Sequence, residues 1–358
     1  MGIRGLGKII SLYSKNSISE INIEELKGKK IAIDSEILLY RYKSKENIDF
    51  IGINNSHIYG FINNILWYLK NGITPIYIFD GAPISAKRDN VLVKRYIHKE
   101  KLYQRFEELE NKFYKELEEY KDPKISINKL TPEQNETFDQ IQKLRKRLGS
   151  LNVTKKYKDE CRYLLKLLGI PFINATEDAE ALCITLQAQG KVDYVYTEDT
   201  DVMTYASGII ERDENFRPLI IKKSSLSGYV NIIDVKKLLN ELELTSKSFI
   251  DMCILSGCDF CPNISKIGPI KSFYYIKKYD NIENFIKNTG VAVPEDFNYQ
   301  HARDIFSKDY SQNINKSLTL GNIDINGLKY YLINERSIDP NSIIYKYKKH
   351  LDIFNTLQ

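Results

Sequence analysis

Two periods alternate along the chain. Lys29–Ile33 and Ile76–Phe79 read as short strands, and Ser56–Leu69 between them carries a helical apolar stripe. Asn71-Gly72 followed by Pro75 closes that helix and opens the second strand. From Lys87 to Lys146 the pattern changes to long charged helices with few core-forming runs, broken at Asp122-Pro123 and Thr131-Pro132. Such a stretch reads as an arch over a site or a coiled-coil arm. The strand–helix alternation then resumes, with a helix over Lys158–Leu168, a strand at Pro171–Ile173, a helix beginning near Thr176 and a strand over Val192–Tyr196. Further short β segments are predicted near Ile209 and at Leu219–Ile221, and after about Ile233 the chain reads as helical. Lys266–Lys271 is predicted as a tight turn between two helices. It suits either a backbone phosphate grip or a plain helix–turn–helix corner.

The polar residues that end the apolar runs change this from a fold to a candidate chemistry. Ile31-Ala32-Ile33 runs into Asp34, Ile76–Phe79 into Asp80, and Ile254-Leu255-Ser256-Gly257-Cys258 into Asp259. Val192–Tyr196 is followed by Thr197-Glu198-Asp199-Thr200-Asp201, three carboxylates within four residues. Like charges buried together are costly unless something positive holds them, and a hard divalent cation with oxygen ligands is the natural candidate. The recurrence predicts carboxylates gathered on one rim of a sheet. Glu177, Asp178 and Glu180 fall at the start of a helix, where capping and the dipole also favour acids. That explanation covers Glu177 and Asp178 better than Glu180, which sits among Ala179, Ala181, Leu182 and Ile184.

At 358 residues the chain suits one large α/β domain with an appendage, or two domains. Lys+Arg 52 against Asp+Glu 47 leaves a mild +5, so a binding role would depend on segregating the two signs; a mixed solvated surface explains the totals equally well. Five cysteines with no signal peptide ahead of them point to reduced thiols and an intracellular, non-secreted protein. Cys258-Asp259-Phe260-Cys261 has no second pair to make a zinc site, and no apolar stretch is long enough to span a bilayer.

Several motifs in order resemble the flap endonuclease-type 5′ nucleases of the XPG family. They are Met1-Gly2-Ile3-Arg4-Gly5-Leu6, Ile31-Ala32-Ile33-Asp34, Tyr77-Ile78-Phe79-Asp80-Gly81, Asp159-Glu160-Cys161 with Gly169-Ile170-Pro171, Ala179-Glu180-Ala181 and Thr197–Asp201. Cys253–Asp259 followed by Ile267-Gly268-Pro269, then Val293-Pro294-Glu295 and His301-Ala302, extend the similarity over nearly the whole chain. The resemblance implies a PIN-like, mostly parallel central sheet flanked by helices, with a helical arch and a C-terminal DNA-binding region of helix-hairpin-helix type. Its expected divisions are 1–105, a nuclease region; 87–150, the arch; 155–235, an internal nuclease region; 236–300, the helical DNA-binding region; and 301–358, a helical extension.

The same resemblance implies a two-magnesium site, with manganese able to substitute, held by Asp34, Asp80, Asp178, Glu180, Asp199, Asp201 and Asp259. Position 178 departs from the family's usual Glu, so a ligand one methylene shorter would act through water or with help from Glu177. Lys87 and Arg95 match the pair that neutralises charge on the phosphate; one extra residue separates them, which makes Lys94 an alternative. Gly2, Tyr40, Lys94, Lys266, Gly268 and Lys271 are expected to contact DNA, Tyr40 by stacking on a base. Asn263, Ile264 and Ile267 occupy the positions that bind a potassium ion, with Lys266 standing where the family has Gly.

The implied activity is a structure-specific 5′ flap endonuclease with 5′→3′ exonuclease activity, acting as a monomer on branched DNA in replication and repair, in the nucleus or at a cytoplasmic replication site. The family's own alternatives are a 5′→3′ exonuclease or a junction resolvase. Outside it stand a metal-dependent phosphatase using Asp199-x-Asp201 and a catalytically dead DNA-binding relative. The segment between Tyr40 and Ser56 lacks the acidic block of the family's 3′-flap pocket, the arch is longer than in cellular relatives, and no sliding-clamp peptide is evident by Gln358.

Overall fold

The computed structural model describes residues 2–43, 55–82, 84, 93–118, 131–150, 153–314 and 317–357. Its strands are β1 Ile18–Asn22, β2 Lys30–Asp34, β3 Thr74–Phe79, β4 Phe172–Asn174, β5 Tyr194–Tyr196, β6 Leu219–Lys223 and β7 Tyr229–Asp234. They form one seven-stranded sheet in the order β1-β7-β6-β5-β2-β3-β4. The five strands from β6 to β4 are mutually parallel, and β7 and β1 close one edge antiparallel. The chain builds outward from β2 through β3 to β4, then returns to the other side of β2 to lay down β5. That reversal between β2 and β5 is the topological switch point, where open α/β sheets leave a crevice at the carboxyl ends of their strands.

Strand alternation divides the core between the two faces. Ala32, Ile76, Ile78, Val195 and Ile220 pack on one side with Leu6 and with apolar residues of the helices between 179 and 307, and Ile31, Ile33, Tyr77, Phe79, Tyr196 and Ile221 pack on the other with Ile65, Leu164 and, from the C-terminal region, Leu332, Tyr347 and Phe354. The helices are α1 Leu6–Tyr13, α2 Ser35–Lys43, α3 Ser56–Lys70, α4 Val93–Glu118, α5 Pro132–Ser150, α6 Lys155–Leu167, α7 Ala179–Ala188 and α8 Asp201–Arg212. They continue with α9 Val235–Leu242, α10 Ser246–Ser256, α11 Pro269–Tyr279, α12 Ile282–Thr289, α13 Tyr299–Ser307, α14 Ile325–Tyr330 and α15 Asn341–Leu357. In the predicted arch, α4 and α5 pack on one another with Phe113 and Phe138 rings 5.8 Å apart, and α5 also reaches α2.

Three expectations need correction. Ile209 lies in α8, not in a strand: Val202, Tyr205, Ala206, Ile209 and Ile210 recur at helical spacing. The helix expected near Thr176 begins at Ala179, because Asp178 is extended at φ −77°, ψ 135°. The run before Asp259 is α10, so that acid follows a helix and does not stand at a strand end. The pattern also missed β1, a mostly exposed edge strand, and β7, which pairs with β1 on one side and β6 on the other. Among the described residues no helix is long and apolar enough to cross a membrane.

Candidate metal and nucleic-acid site

Asp34 is the last residue of β2 and is 1% exposed. Its Oδ1 accepts the Glu36 N–H at 3.0 Å, so it caps α2, and its Oδ2 accepts from Thr197 Oγ1 at 2.9 Å across the neighbouring strand end. Asp80 follows β3 directly. The next residue has to be glycine: a Cβ on Gly81 would lie 2.1 Å from the Ala175 carbonyl oxygen. That close approach lets Gly81 N–H reach the Glu177 carbonyl at 2.8 Å and Asp80 Oδ1 accept the Ala179 N–H at 2.8 Å. The start of α7 is thereby pinned to the end of β3, with Asp178 and Glu180 beside Asp80. Asp178 accepts from Tyr205 Oη at 2.7 Å.

Past β5 the chain turns tightly. Asp199 N–H donates to Thr197 Oγ1 at 3.0 Å, and Asp201 N–H donates to Asp199 Oδ1 at 3.2 Å as α8 begins. The N-terminal segment lies against this turn: Thr200 Oγ1 donates to the Ile3 carbonyl at 3.3 Å, and a Cβ on Gly2 would fall 1.9 Å from Asp199 Oδ1.

The acids act on one another. Burial pushes the Asp34 carboxyl up to about 8, with Asp80 and Asp199 adding to it and the Thr197 hydrogen bond opposing. Burial also pushes Glu180 well above the carboxylate range, and Asp34, Asp80, Asp199 and Asp178 all raise it further. Five predicted carboxylates therefore share one electrostatic neighbourhood at the switch point. Asp201 joins through its bond to Asp199.

Hard oxygen donors whose negative charges repel fit a divalent cation. Among the described residues no three His, Cys, Asp or Glu side chains form a ready ligand group for a single ion. Magnesium keeps several waters and reaches carboxylates through them as well as directly, which suits acids spread around a cleft.

The remaining predicted residues fall elsewhere. Asp259 follows Cys258, whose thiol is pushed up by burial and in smaller part by Asp201. Glu177 is paired with Lys308 at 2.6 Å and Glu198 with Arg41 at 3.0 Å. Tyr40 is half-buried in α2, while Leu38 and Leu39 beside it are fully buried. Lys87 lies outside the described residues, and Lys94 and Arg95 fall in the first turn of α4.

Gly268 caps α11 with Pro269 at its first position, and a Cβ on Gly5 would meet the Pro269 ring at 2.4 Å. The N-terminal segment thus touches both the acidic turn and this second turn. Lys266 has φ +63°, the left-handed region that favours glycine, and exposed Lys271 donates from Nζ to its carbonyl at 3.1 Å. The Ile264 carbonyl accepts the Ile267 N–H at 3.1 Å, and Asn263 lies against Gly257.

Sequence reasoning missed three charged residues. Glu36, 7% exposed, pairs with Lys158 at 2.7 Å, and its carboxyl is pushed up to about 7 by burial and by Asp80. Its place two residues after a strand-ending Asp was the available signal. Lys222 ends the apolar run Leu219–Ile221 with a base where the other runs end in an acid, and its Nζ donates to the Asp199 carbonyl at 2.9 Å.

Comparison with known proteins identifies the family and the fold. Residues 1–101 match the XPG N-terminal domain and residues 169–259 the XPG I-region. Flap endonuclease 1 of Entamoeba histolytica is 34% identical over 353 residues, covering 96% of this chain and 85% of that protein. Flap endonuclease 1 of Aedes aegypti is 33% identical, covering 99% and 88%. Among solved structures, flap endonuclease-1 from Methanococcus jannaschii superposes with a TM-score of 0.65 at 24% identity, covering 95% of this chain and 97% of that one. The catalytic core of Rad2 in complex with DNA substrate superposes at 0.66 with 21% identity, covering 97% and 100%. The mostly parallel sheet is the fold of these nucleases, and the chain belongs to the XPG family, among its flap endonucleases.

Proposed function

We propose that the chain is a structure-specific 5′ flap endonuclease with 5′→3′ exonuclease activity, hydrolysing phosphodiester bonds of branched DNA to a 5′-phosphate and a 3′-hydroxyl. The observation that carries the reading is the convergence of Asp34, Asp80, Asp178, Glu180 and Asp199 at the switch-point edge of the sheet. These carboxylates, with Asp201 and Asp259, would hold two magnesium or manganese ions. Bound there, the ions would supply Lewis-acid activation of water and stabilisation of the leaving oxygen. Thr197 orients Asp34, Tyr205 orients Asp178, and Gly2 gives the Asp199 side chain its room.

The DNA duplex would lie across the α11 turn, where N–H groups of a helix N-terminus and the Lys266 and Lys271 charges suit phosphates. Carbonyls near Asn263, Ile264 and Ile267 would take a potassium ion. Lys87 with Arg95 or Lys94 would neutralise charge on the scissile phosphate, and Tyr40 would stack beside it. The five free thiols suit a reducing compartment, and a monomer is sufficient for the site.

The test is cleavage mapping on 5′-flap, nicked, gapped and four-way junction substrates, with magnesium and with chelator. A metal-dependent cut at the flap base supports the reading. Preference for the junction would reassign the chain to a resolvase, and no cleavage on any substrate would leave a DNA-binding relative.

A further inference from the structure

Lys222 is the fourth residue of β6, and strand alternation puts it on the same sheet face as Ile220. The parallel register Val195↔Ile220, Tyr196↔Ile221 brings the end of β6 level with the end of β5. There the Lys222 ammonium donates to the Asp199 main-chain carbonyl at 2.9 Å. Its backbone is fixed from the other side by the antiparallel pairing Lys222↔Asn231. The ammonium therefore sits on a rigid strand under the turn that carries Asp199 and Asp201.

Satisfying one carbonyl does not need a cation. A neutral donor would do so without the cost of drawing an ammonium out of water. The surroundings supply a reason for the charge: the carbonyl that the ammonium holds belongs to Asp199, in the turn where Asp199 N–H bonds Thr197 and Asp201 N–H bonds the Asp199 carboxylate. Other ties hold the same turn, with Thr197 bonded to Asp34 and Thr200 to Ile3. Lys222 adds one that carries positive charge into the acidic group.

We propose that Lys222 is a positioning residue of the metal centre, its ammonium fixing the Asp199 carbonyl, and through it the Thr197–Asp201 turn, in the arrangement that receives divalent ions. This rests on the metal-dependent reading above. The expected behaviour is that of a residue supporting a ligand from behind.

The experiment is Mn2+ binding to the DNA-free full chain, read by electron paramagnetic resonance, for wild type, Lys222→Met and Lys222→Arg. Thermal unfolding checks that each variant folds, and single-turnover flap cleavage is titrated with magnesium. Lys222→Met should bind Mn2+ about 10- to 100-fold more weakly, the range seen when a group supporting a metal ligand is removed. Its cleavage should need correspondingly more magnesium, while its affinity for flap DNA in chelator stays at the wild-type value. Lys222→Arg, which keeps charge and donor, should recover most of the Mn2+ affinity.

Equal or tighter Mn2+ binding by Lys222→Met overturns the inference. If that variant does not fold, Lys222→Gln decides: weakened binding supports the role and unchanged binding overturns it. A wild-type chain that binds no Mn2+ overturns the metal reading together with this inference, whereas a wild type that binds and a Lys222→Met that binds equally overturns the inference alone.

Discussion

Thr197 Oγ1 donates to Asp34 Oδ2 at 2.9 Å and so ties the carboxyl end of β2 to the turn after β5. The same oxygen accepts the Asp199 N–H at 3.0 Å, which makes a fully buried hydroxyl the joint between two acids. The bond to Asp34 favours its ionised form against burial and against Asp80. Thr197→Val keeps the shape and removes the joint. Asp34 should then ionise at higher pH, moving the acid limb of the cleavage–pH profile upward, and stability should fall by about 1 kcal/mol, a typical net hydrogen bond. A pH profile that superposes on wild type would show that Thr197 has no part in setting Asp34.

Tyr205 offers a second handle on the centre. Its hydroxyl bonds Asp178 Oδ2 at 2.7 Å, and its ring is held edge-on by Phe306 and Tyr310 at 5.1 and 5.5 Å. Tyr205→Phe should keep the packing, so cleavage should slow while DNA affinity in chelator is unchanged. Asp178→Glu pushes an extra methylene towards the Tyr205 hydroxyl and should be impaired alone. Combined with Tyr205→Phe it should recover part of that loss. A double-mutant cycle on single-turnover rates measures the coupling, and strict additivity would rule out the contact as the cause.

Much of this was legible in the chain, for a physical reason. Parallel strands buried on both faces read as continuous apolar runs, so Ile31–Ile33 and Ile76–Phe79 stood out, and an acid at the end of each is conspicuous. Edge strands are different: Ile18–Asn22 is mostly exposed and carries Ser19, Glu20 and Asn22, so it offers no run to detect. Ile209 and Ile210 looked like a strand only when read apart from Tyr205 and Val202, one and two turns earlier. Lys222 and Glu36 escaped because their significance lies in contacts across the sheet edge, to Asp199 and Lys158, which sequence spacing does not encode.

The raised carboxyls make stability depend on pH and metal. Asp34 ionises near 4 when unfolded and at about 8 in the folded chain, and Glu180 is raised as well. Between those values the native state holds more protons than the unfolded state, so each unit of rising pH costs stability. The metal-free chain should lose several degrees of melting temperature from pH 5 to pH 8. Magnesium should reverse this, because it binds the ionised carboxylates of the native state alone. Differential scanning calorimetry in chelator and in magnesium checks both halves. A melting temperature that rises with pH in chelator would sink the account.

Away from the centre, the buried Glu160 accepts from Arg336 and lies 2.7 Å from His57 Nε2, linking α6, α3 and the segment after α14. Burial keeps His57 neutral, its proton affinity lowered to about 4. Arg336→Met breaks a pair whose members are 7% and 8% exposed and leaves Glu160 without its full cation. The expected loss is about 3–5 kcal/mol. Once the variant is folded, its metal requirement for cleavage should match wild type, which separates this structural network from the acidic centre.

Gly2 gives the sharpest test of how the N-terminal segment serves the site. Its φ of +92° is open to glycine and strained for other residues, and a Cβ there would lie 1.9 Å from Asp199 Oδ1, 2.6 Å from Thr200 Oγ1 and 2.8 Å from the Thr200 nitrogen. No rotamer relieves a clash made by Cβ itself, so Gly2→Ala must move either the segment or the Asp199 side chain. The segment is anchored by Arg4 N–H to the Gly257 carbonyl at 3.0 Å and by Gly5 against Pro269, which directs the strain at Asp199. Cleavage should fall on the order of a hundredfold or more, the worth of one preorganised electrostatic group. Mn2+ affinity should drop with the rate, because the displaced group is a carboxylate. If Gly2→Ala cleaves and binds Mn2+ as wild type does, the N-terminal segment is not what fixes Asp199.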